Sequence, residues 1–221
     1  MARIQPTARA RNFEDKQERR ELLLATALDL YAHSQYAEIA MADIAQSAGL
    51  AKGTVYLYFK TKEELFLTLL DRELDGWFAD MGAAIGGFAG AWSPRVLAEK
   101  AARTLEARHA LRRLVAMVGV ILEHNVDFDA ALDFKQRLAA RAQAAGAMIE
   151  QVLPFVKPGE GKPVILRLYA LVIGVQQLCE PAPVMRAVLA RPELAEFRLD
   201  FRTTFQECAQ LLLEGMQKQV R

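Results

Sequence analysis

The chain has 221 residues, 52% hydrophobic and 25% charged, with 28 Lys and Arg against 27 Asp and Glu for a formal net charge of +1. That length accommodates one large domain or two modest ones, and the apolar share is ample for a buried core plus an apolar interface. Near-neutrality excludes a wholly basic nucleic-acid coat, so any contact with DNA must be local.

Residues 1–13 hold Arg3, Arg9 and Arg11 and no acid, with Pro6 and no helical period. Residues 1–16 therefore read as a basic, disordered arm able to track a minor groove, or as a solvated tail with no role. Further on, Met41, Ile44, Ala45 and Ala48 recur at helical spacing, the stripe of a helix docked on a core. Gly49 follows, where a left-handed backbone ends a helix without a Cβ clash, and Leu50 is suited to plug the gap between helices. A second short helix is predicted from about Lys52 to Phe59, with Val55 and Phe59 inward. Two helices about a tight turn make a helix-turn-helix, whose second helix enters a major groove.

The outward face of that second helix carries Lys52, Gly53, Thr54, Tyr56, Leu57 and Tyr58. Lys52 neutralises a phosphate, Gly53 admits close backbone approach, and the three hydroxyls donate to phosphate oxygens, which orients without encoding sequence. Leu57 makes no base hydrogen bond, so it packs on a thymine methyl or marks a helix that reads shape. Gln46 and Ser47, near the end of the preceding helix, complete the face. Thr61 to Glu64 is a T-x-x-E capping box opening the next helix. Its amides, with Lys60 and Lys62, are expected to form a second phosphate clamp.

The stretch ADIAQSAGLAKGTVYLYFKTKEEL resembles the N-terminal module of the TetR family of bacterial transcriptional regulators. Arg20 to Tyr31 is similar to the family's first helix, with Leu23, Ala27, Leu30 and Tyr31 as its buried stripe. The match runs from roughly Gln17 to Trp77, about a quarter of the chain. It implies that Lys52, Gly53, Thr54, Tyr56, Tyr58 and Lys62 lie near DNA. Two positions depart from the family's pattern: Ala40 and Ala51 stand where Ser or Thr often caps the motif helices, a loss of about 1 kcal/mol each that leans on tertiary packing.

After Leu65 a helix is predicted through Leu74 to about Trp77 or Met81, which the resemblance makes the link between head and body. Gly82, Gly86, Gly87 and Gly90 then loosen the chain. Ser93-Pro94 is a cap and first-turn proline opening a helix to about Ala107, and another follows from about Ala110 to His124. Asp127 or Asp129 opens a long helix ending before Pro154. A charged loop at Lys157 to Lys162 precedes a helix from Pro163 to Cys179. A short segment around Val184 to Leu189 comes next, and the last helix is predicted from Arg191-Pro192 to near Lys218. With no period-two pattern and no repeat, the fold class is all-α: a basic arm (1–16), a three-helix DNA-binding head (17–77) and a larger helical effector-binding and dimerisation domain (78–221).

By the resemblance the last helix pair builds a homodimer bundle, for which Leu168, Leu171, Val172, Val175, Phe201, Phe205, Cys208 and Leu212 are the candidate seam. Two-fold symmetry suits a palindromic operator, with heads about 34–36 Å apart. The middle helices would enclose a cavity for a small hydrophobic effector. Its candidate lining is Trp77, Phe88, Trp92, Met117, Ile121, His124, Phe128, Phe134, Met148 and Gln176, residues that serve equally as plain core.

Cys179 and Cys208 lack metal-ligand spacing and read as buried free thiols, with a redox pair the minority reading. Glu123, His124, Asp127, Asp129 and Asp133 cluster, yet the aspartates have ready work as helix caps and no metal is assigned. Leu114 to Leu122, the longest clean apolar run, is far short of a membrane span. No nucleophile, P-loop or Rossmann pattern appears, so neither enzyme activity nor a cofactor is expected. The expectation is a bacterial cytoplasmic, nucleoid-associated, ligand-responsive repressor that binds double-stranded DNA as a homodimer. Its rival keeps the same head without an effector, the body recruiting a protein partner.

Overall fold

A computed structural model describes the backbone of residues 8–219 and the side chains of residues 15–219. Among the described residues every element is helical: α1 (Ala8–His33), α2 (Met41–Ser47), α3 (Lys52–Val55), α4 (Lys62–Gly86), α5 (Pro94–Glu106), α6 (His109–Met117), α7 (Phe128–Val152), α8 (Gly161–Cys179), α9 (Pro183–Leu189) and α10 (Phe201–Gln219). Helix α1 begins inside the stretch expected to be an irregular arm. Arg9 and Arg11 therefore sit on helical backbone, as the run of Ala, Arg, Glu, Lys and Gln after Pro6 favours. Arg3 lies outside the described residues.

Capping residues set the starts of α4, α5 and α7. Thr61 Oγ1 accepts from the Glu64 amide at 3.1 Å, Ser93 Oγ from Val96 at 3.3 Å, and Asp127 Oδ1 from Asp129 at 3.0 Å. Several expected boundaries move; the helix expected to reach His124 ends as α6 at Met117 and passes into a π-helical turn, Val118–Leu122. Helix α4 runs past Met81 and Gly82 to Gly86, because buried Met81 and half-buried Trp77 pack against Thr104 of α5 and offset the glycines' weak propensity. The last helix starts at Phe201 rather than Pro192, since Asp200 accepts from the Thr203 amide (2.9 Å) and hydroxyl (2.8 Å) and caps it there. Those same bonds hold the Asp200 carboxyl below the usual carboxylate range. Residues Pro192–Phe197 form a separate 3-10 turn.

One core runs from the head into the body. In the head Leu23, Ile44, Val55, Phe59, Leu65 and Phe66 are fully buried, and Phe66 meets Tyr31 and Tyr36 edge-to-face with centroids 5.4 and 4.9 Å apart. In the body α10 lies on α5 and α8, and α8 lies on α6 and α7. Helix α4 belongs to both halves. Arg141 of α7 forks onto Asp71 (2.6 Å) and Asp75 (2.7 Å) of α4, and Arg137 reaches Asp71 at 2.7 Å. By length and composition α8 is apolar enough to cross a membrane, unlike the Leu114–Leu122 run; it carries Arg167, Gln176 and Gln177 and packs as a body helix on three neighbours.

The tightest crossing joins α7 to the start of α8. A Cβ on Gly146 would stand 2.5 Å from the Lys162 amide nitrogen, and one on Gly161 would collide with the Gly146 carbonyl. Glu150 Oε1 accepts from the Gly159 and Gly161 amides at 3.0 and 2.8 Å, fixing the loop between. Gly161→Ala is expected to cost about 1–3 kcal/mol by overpacking backbone against backbone. Thermal unfolding followed by circular dichroism checks this; an unchanged midpoint would show slack at the crossing.

Candidate nucleic-acid interface

Helix α2 ends as expected at Gly49, whose φ of +68° is the left-handed conformation that glycine tolerates. Ala40 supplies no cap, yet Asp43 Oδ2 accepts from the Ala40 amide at 2.7 Å and restores half of one. Helix α3 is a single turn; the chain then continues through i→i+3 bonds from Leu57 to Thr54 and from Tyr58 to Val55 rather than as regular helix to Phe59. Val55 and Phe59 are fully buried beneath it, with the Arg20 guanidinium 5.0 Å from the Phe59 ring centroid.

Gln46, Ser47, Lys52, Gly53, Tyr56, Leu57 and Lys60 are exposed around this turn. Leu57 is 77% exposed, a large apolar side chain held in water by a fully buried neighbour frame. Such exposure costs free energy in the isolated chain and suits a surface that apolar base edges cover. Thr54 and Tyr58 are half-buried.

Lys62 corrects the expected clamp. Its ammonium donates to the carbonyls of Tyr36 and Ile39, both at 2.7 Å, and lies 3.8 Å over the Tyr36 ring. Burial pushes its pKa down. It staples the loop after α1 to α4. Beside the start of α4, Glu64 accepts from the Lys60 amide at 2.7 Å, and the exposed Lys60 Nζ stands 3.8 Å from Asp127. The sequence places Lys62 correctly at the turn; the aromatic and carbonyls that absorb it come from 23 to 26 residues earlier.

Head and body are joined at two edges, one through Arg113, which Glu180 backs from within the body, and one through Thr61. Arg113 of α6 donates to the Tyr31 carbonyl at 2.7 Å and the Ser34 carbonyl at 3.0 Å, and stacks 4.1 Å from the Tyr31 ring. Glu180 at the end of α8 faces Arg113 at 3.8 Å and His109 at 3.3 Å. At the other edge the Thr61 hydroxyl donates to the Asn125 carbonyl at 3.0 Å. None of these was identified from the sequence, since each joins residues 64 or more apart.

Within the body an apolar cavity of about 100 Å³ lies between α4, α5, α6, α7, α8 and α10, walled by Trp77, Leu105, Val115, Tyr169, Val172 and Phe205 among others. Of the predicted lining, Trp77 faces it. Met117, Ile121 and Gln176 instead line an open groove of about 280 Å³ beside Tyr31 and Arg113. Gln176 is committed there, donating to Glu180 at 2.5 Å and accepting from Arg112 at 3.1 Å. Phe88 and Trp92 pack edge-to-face at 4.8 Å in the α4–α5 loop, with Lys100 over Phe88. Phe128 is 78% exposed at the start of α7, His124 is exposed, Phe134 is buried core, and Met148 is half-buried on α7. Of the acidic cluster, Asp127 caps α7 and Glu123 pairs with Lys135 at 2.6 Å.

The candidate seam divides likewise. Val172, Val175, Phe201 and Phe205 are buried within the protomer, and half-buried Leu168 walls the cavity with Phe205. Leu171, Cys208 and Leu212 are half-buried. The outward apolar residues are Leu166 and Leu178 on α8 and Leu211 on α10. Periodicity marks two apolar faces per helix here without saying which is inside. Cys179 and Cys208 are both half-buried free thiols, and burial raises the Cys179 pKa.

Comparison with known proteins agrees with this architecture. Residues 23–69 match the family model described as bacterial regulatory proteins, tetR family, and residues 71–220 match the tetracyclin repressor-like, C-terminal domain. Over 54 residues the chain is 48% identical to the HTH-type transcriptional regulator EthR of Mycobacterium tuberculosis, covering 24% of this chain and 25% of that protein. Over 52 residues it is 35% identical to the fatty acid metabolism regulator protein of Bacillus subtilis, covering 24% and 27%. The matched stretch thus spans about a quarter of these relatives' length. Among solved structures, a TetR-family transcriptional regulator of Syntrophomonas wolfei superposes with a TM-score of 0.61 at 16% identity, covering 91% of this chain and 96% of that one. FadR of Bacillus subtilis in complex with stearoyl-CoA gives 0.58 at 16%, covering 88% and 98%. At such identity these likenesses carry the fold alone.

Proposed function

The chain belongs to the TetR family of bacterial transcriptional regulators, and from that premise we propose that it is a ligand-responsive repressor that binds a palindromic operator as a homodimer. One observation carries the reading. Helix α4 starts at the exposed reading turn and ends its course past Trp77 and Phe78, which wall the apolar cavity. A ligand that enlarges the cavity displaces the rod on which the head is mounted. To release DNA it must favour the displaced state; a thousandfold preference corresponds to about 4 kcal/mol.

The cavity wall is almost wholly hydrocarbon, which favours a small apolar effector over a charged one. A ligand as long as the stearoyl-CoA held by the Bacillus subtilis FadR structure requires the body helices to part first. The protein acts in the cytoplasm, on the nucleoid. A second reading, the same head with a body that recruits a protein partner, draws on one observation. Val184, Met185, Val188, Phe197 and Leu199 are exposed outside the α8–α10 seam.

Selection of binding sites from random duplexes, repeated with apolar ligands, tests the proposal. An inverted repeat is expected to emerge and to be lost with an effector; no enrichment in any pool sinks it. Lys52→Ala is expected to weaken operator and non-specific duplex alike and to flatten the salt slope by about one unit. Leu57→Arg should instead change which sequences are preferred, and an unaltered preference removes Leu57 from the reading face.

A further inference from the structure

Between α8 and α10 the chain leaves the body, runs through α9 and the 3-10 turn, and returns at Asp200. No residue from 182 to 200 is buried, and only Leu189 and Leu194 are half-buried. Val184 is 77%, Phe197 58% and Met185 50% exposed, with Val188 and Leu199 also open. Helix α9 and the 3-10 turn pack mainly on each other. Ordering such a segment costs conformational entropy that burial must offset, and a single chain supplies little of it here. The cover must therefore be a lasting one.

Two features identify the cover. The apolar strip is continuous with the outward side of α8, where Leu166, Ala170, Gly174 and Leu178 recur every fourth residue and are all exposed. Leu178 joins Leu189, Phe197 and Leu199 around a crevice of about 250 Å³, so seam and excursion form one surface. A two-fold interface places the same patch on both partners, so one continuous apolar strip supplies both of its sides. The position is also informative. Pro183 and Arg186 of α9 share a groove with Tyr31 of α1 and Gln35 just after it, placing the excursion at the head end of α8.

We infer that residues 183–199 form a brace that lies against a second copy of this chain, extending the α8–α10 seam toward the two heads and helping to set their separation. The inference rests on the homodimer reading, and its test separates the two. Sedimentation equilibrium compares the full-length wild type with Val184→Asp/Val188→Asp, Phe197→Asp, the seam variant Leu211→Asp and the α7 control Leu132→Asp. The brace variants are expected to dissociate about 100-fold more readily, as when a central apolar anchor is lost, while Leu132→Asp matches wild type. Brace variants that dimerise as tightly as wild type while Leu211→Asp dissociates overturn the brace and leave a different protein as its occupant. A wild type that is monomeric at micromolar concentration overturns the homodimer reading and the brace with it. Should the variants not fold, amide hydrogen exchange on the wild type decides. Protection across 183–197 that rises with protein concentration supports the brace; protection independent of concentration overturns it.

Discussion

Arg113→Ala is expected to lower stability by about 3 kcal/mol and to detach the head's orientation from the body. The side chain is 9% exposed and donates to two main-chain carbonyls at the end of α1 while facing Glu180. Hydrogen bonds from a charged donor contribute roughly 1.5–3 kcal/mol each, and their loss leaves buried carbonyls without partners. Stacking on Tyr31 goes with them. For a chain of this size the loss corresponds to a fall in Tm of roughly 6–12 °C. Arg113→Lys should recover part of it, since an ammonium cannot fork to two carbonyls in fixed geometry. The functional readout is distinct: on the proposed homodimer, operator binding should weaken more than non-specific duplex binding, because the first would need two heads at set spacing. Equal losses in both would assign Arg113 to stability alone.

The other large effect belongs to Phe66→Ala, at about 3–5 kcal/mol. Phe66 is fully buried on α4 and receives the edges of both Tyr31 and Tyr36. Truncation leaves a void that α1, the 36–38 turn and α4 all border, and that α4, already tied to α7 through Arg141, cannot close by moving inward. Chemical denaturation measures the loss. Phe66→Leu should retain more than half of the stability at issue; a leucine variant as unstable as the alanine one would point to the ring contacts rather than volume.

Much of this fold was legible because its boundaries are local chemistry. Thr61, Ser93 and Asp127 each accept from an amide within three residues, and Gly49 turns the chain through its own left-handed φ. All stand at positions the sequence marks, with Asp127 the one taken of the two aspartates. The boundaries that moved depend on distant partners: Met81 and Trp77 carry α4 across its glycines only because Thr104 lies opposite. The exposure of the turn after Gly49 was legible for the same local reason. Lys62 was not, since its carbonyl and aromatic partners arrive by tertiary folding. Periodicity found the apolar faces of α8 and α10, but Val172 and Leu166 look alike in sequence while one is 7% and the other 53% exposed. Cavity walls are harder still, since a gap is a property of what fails to meet.

The seven-residue α2 and four-residue α3 lack side-chain caps at Ala40 and Ala51 and are too short to persist alone in water. Their shape is imposed from outside, by α1, by α4 and by the long-range grips of Lys62 and Arg113. The motif is therefore no detachable cassette: cut out and grafted onto a foreign carrier, it should collapse into an unstructured peptide. Swapping recognition between relatives demands that whole scaffolding travel with the letters it spells.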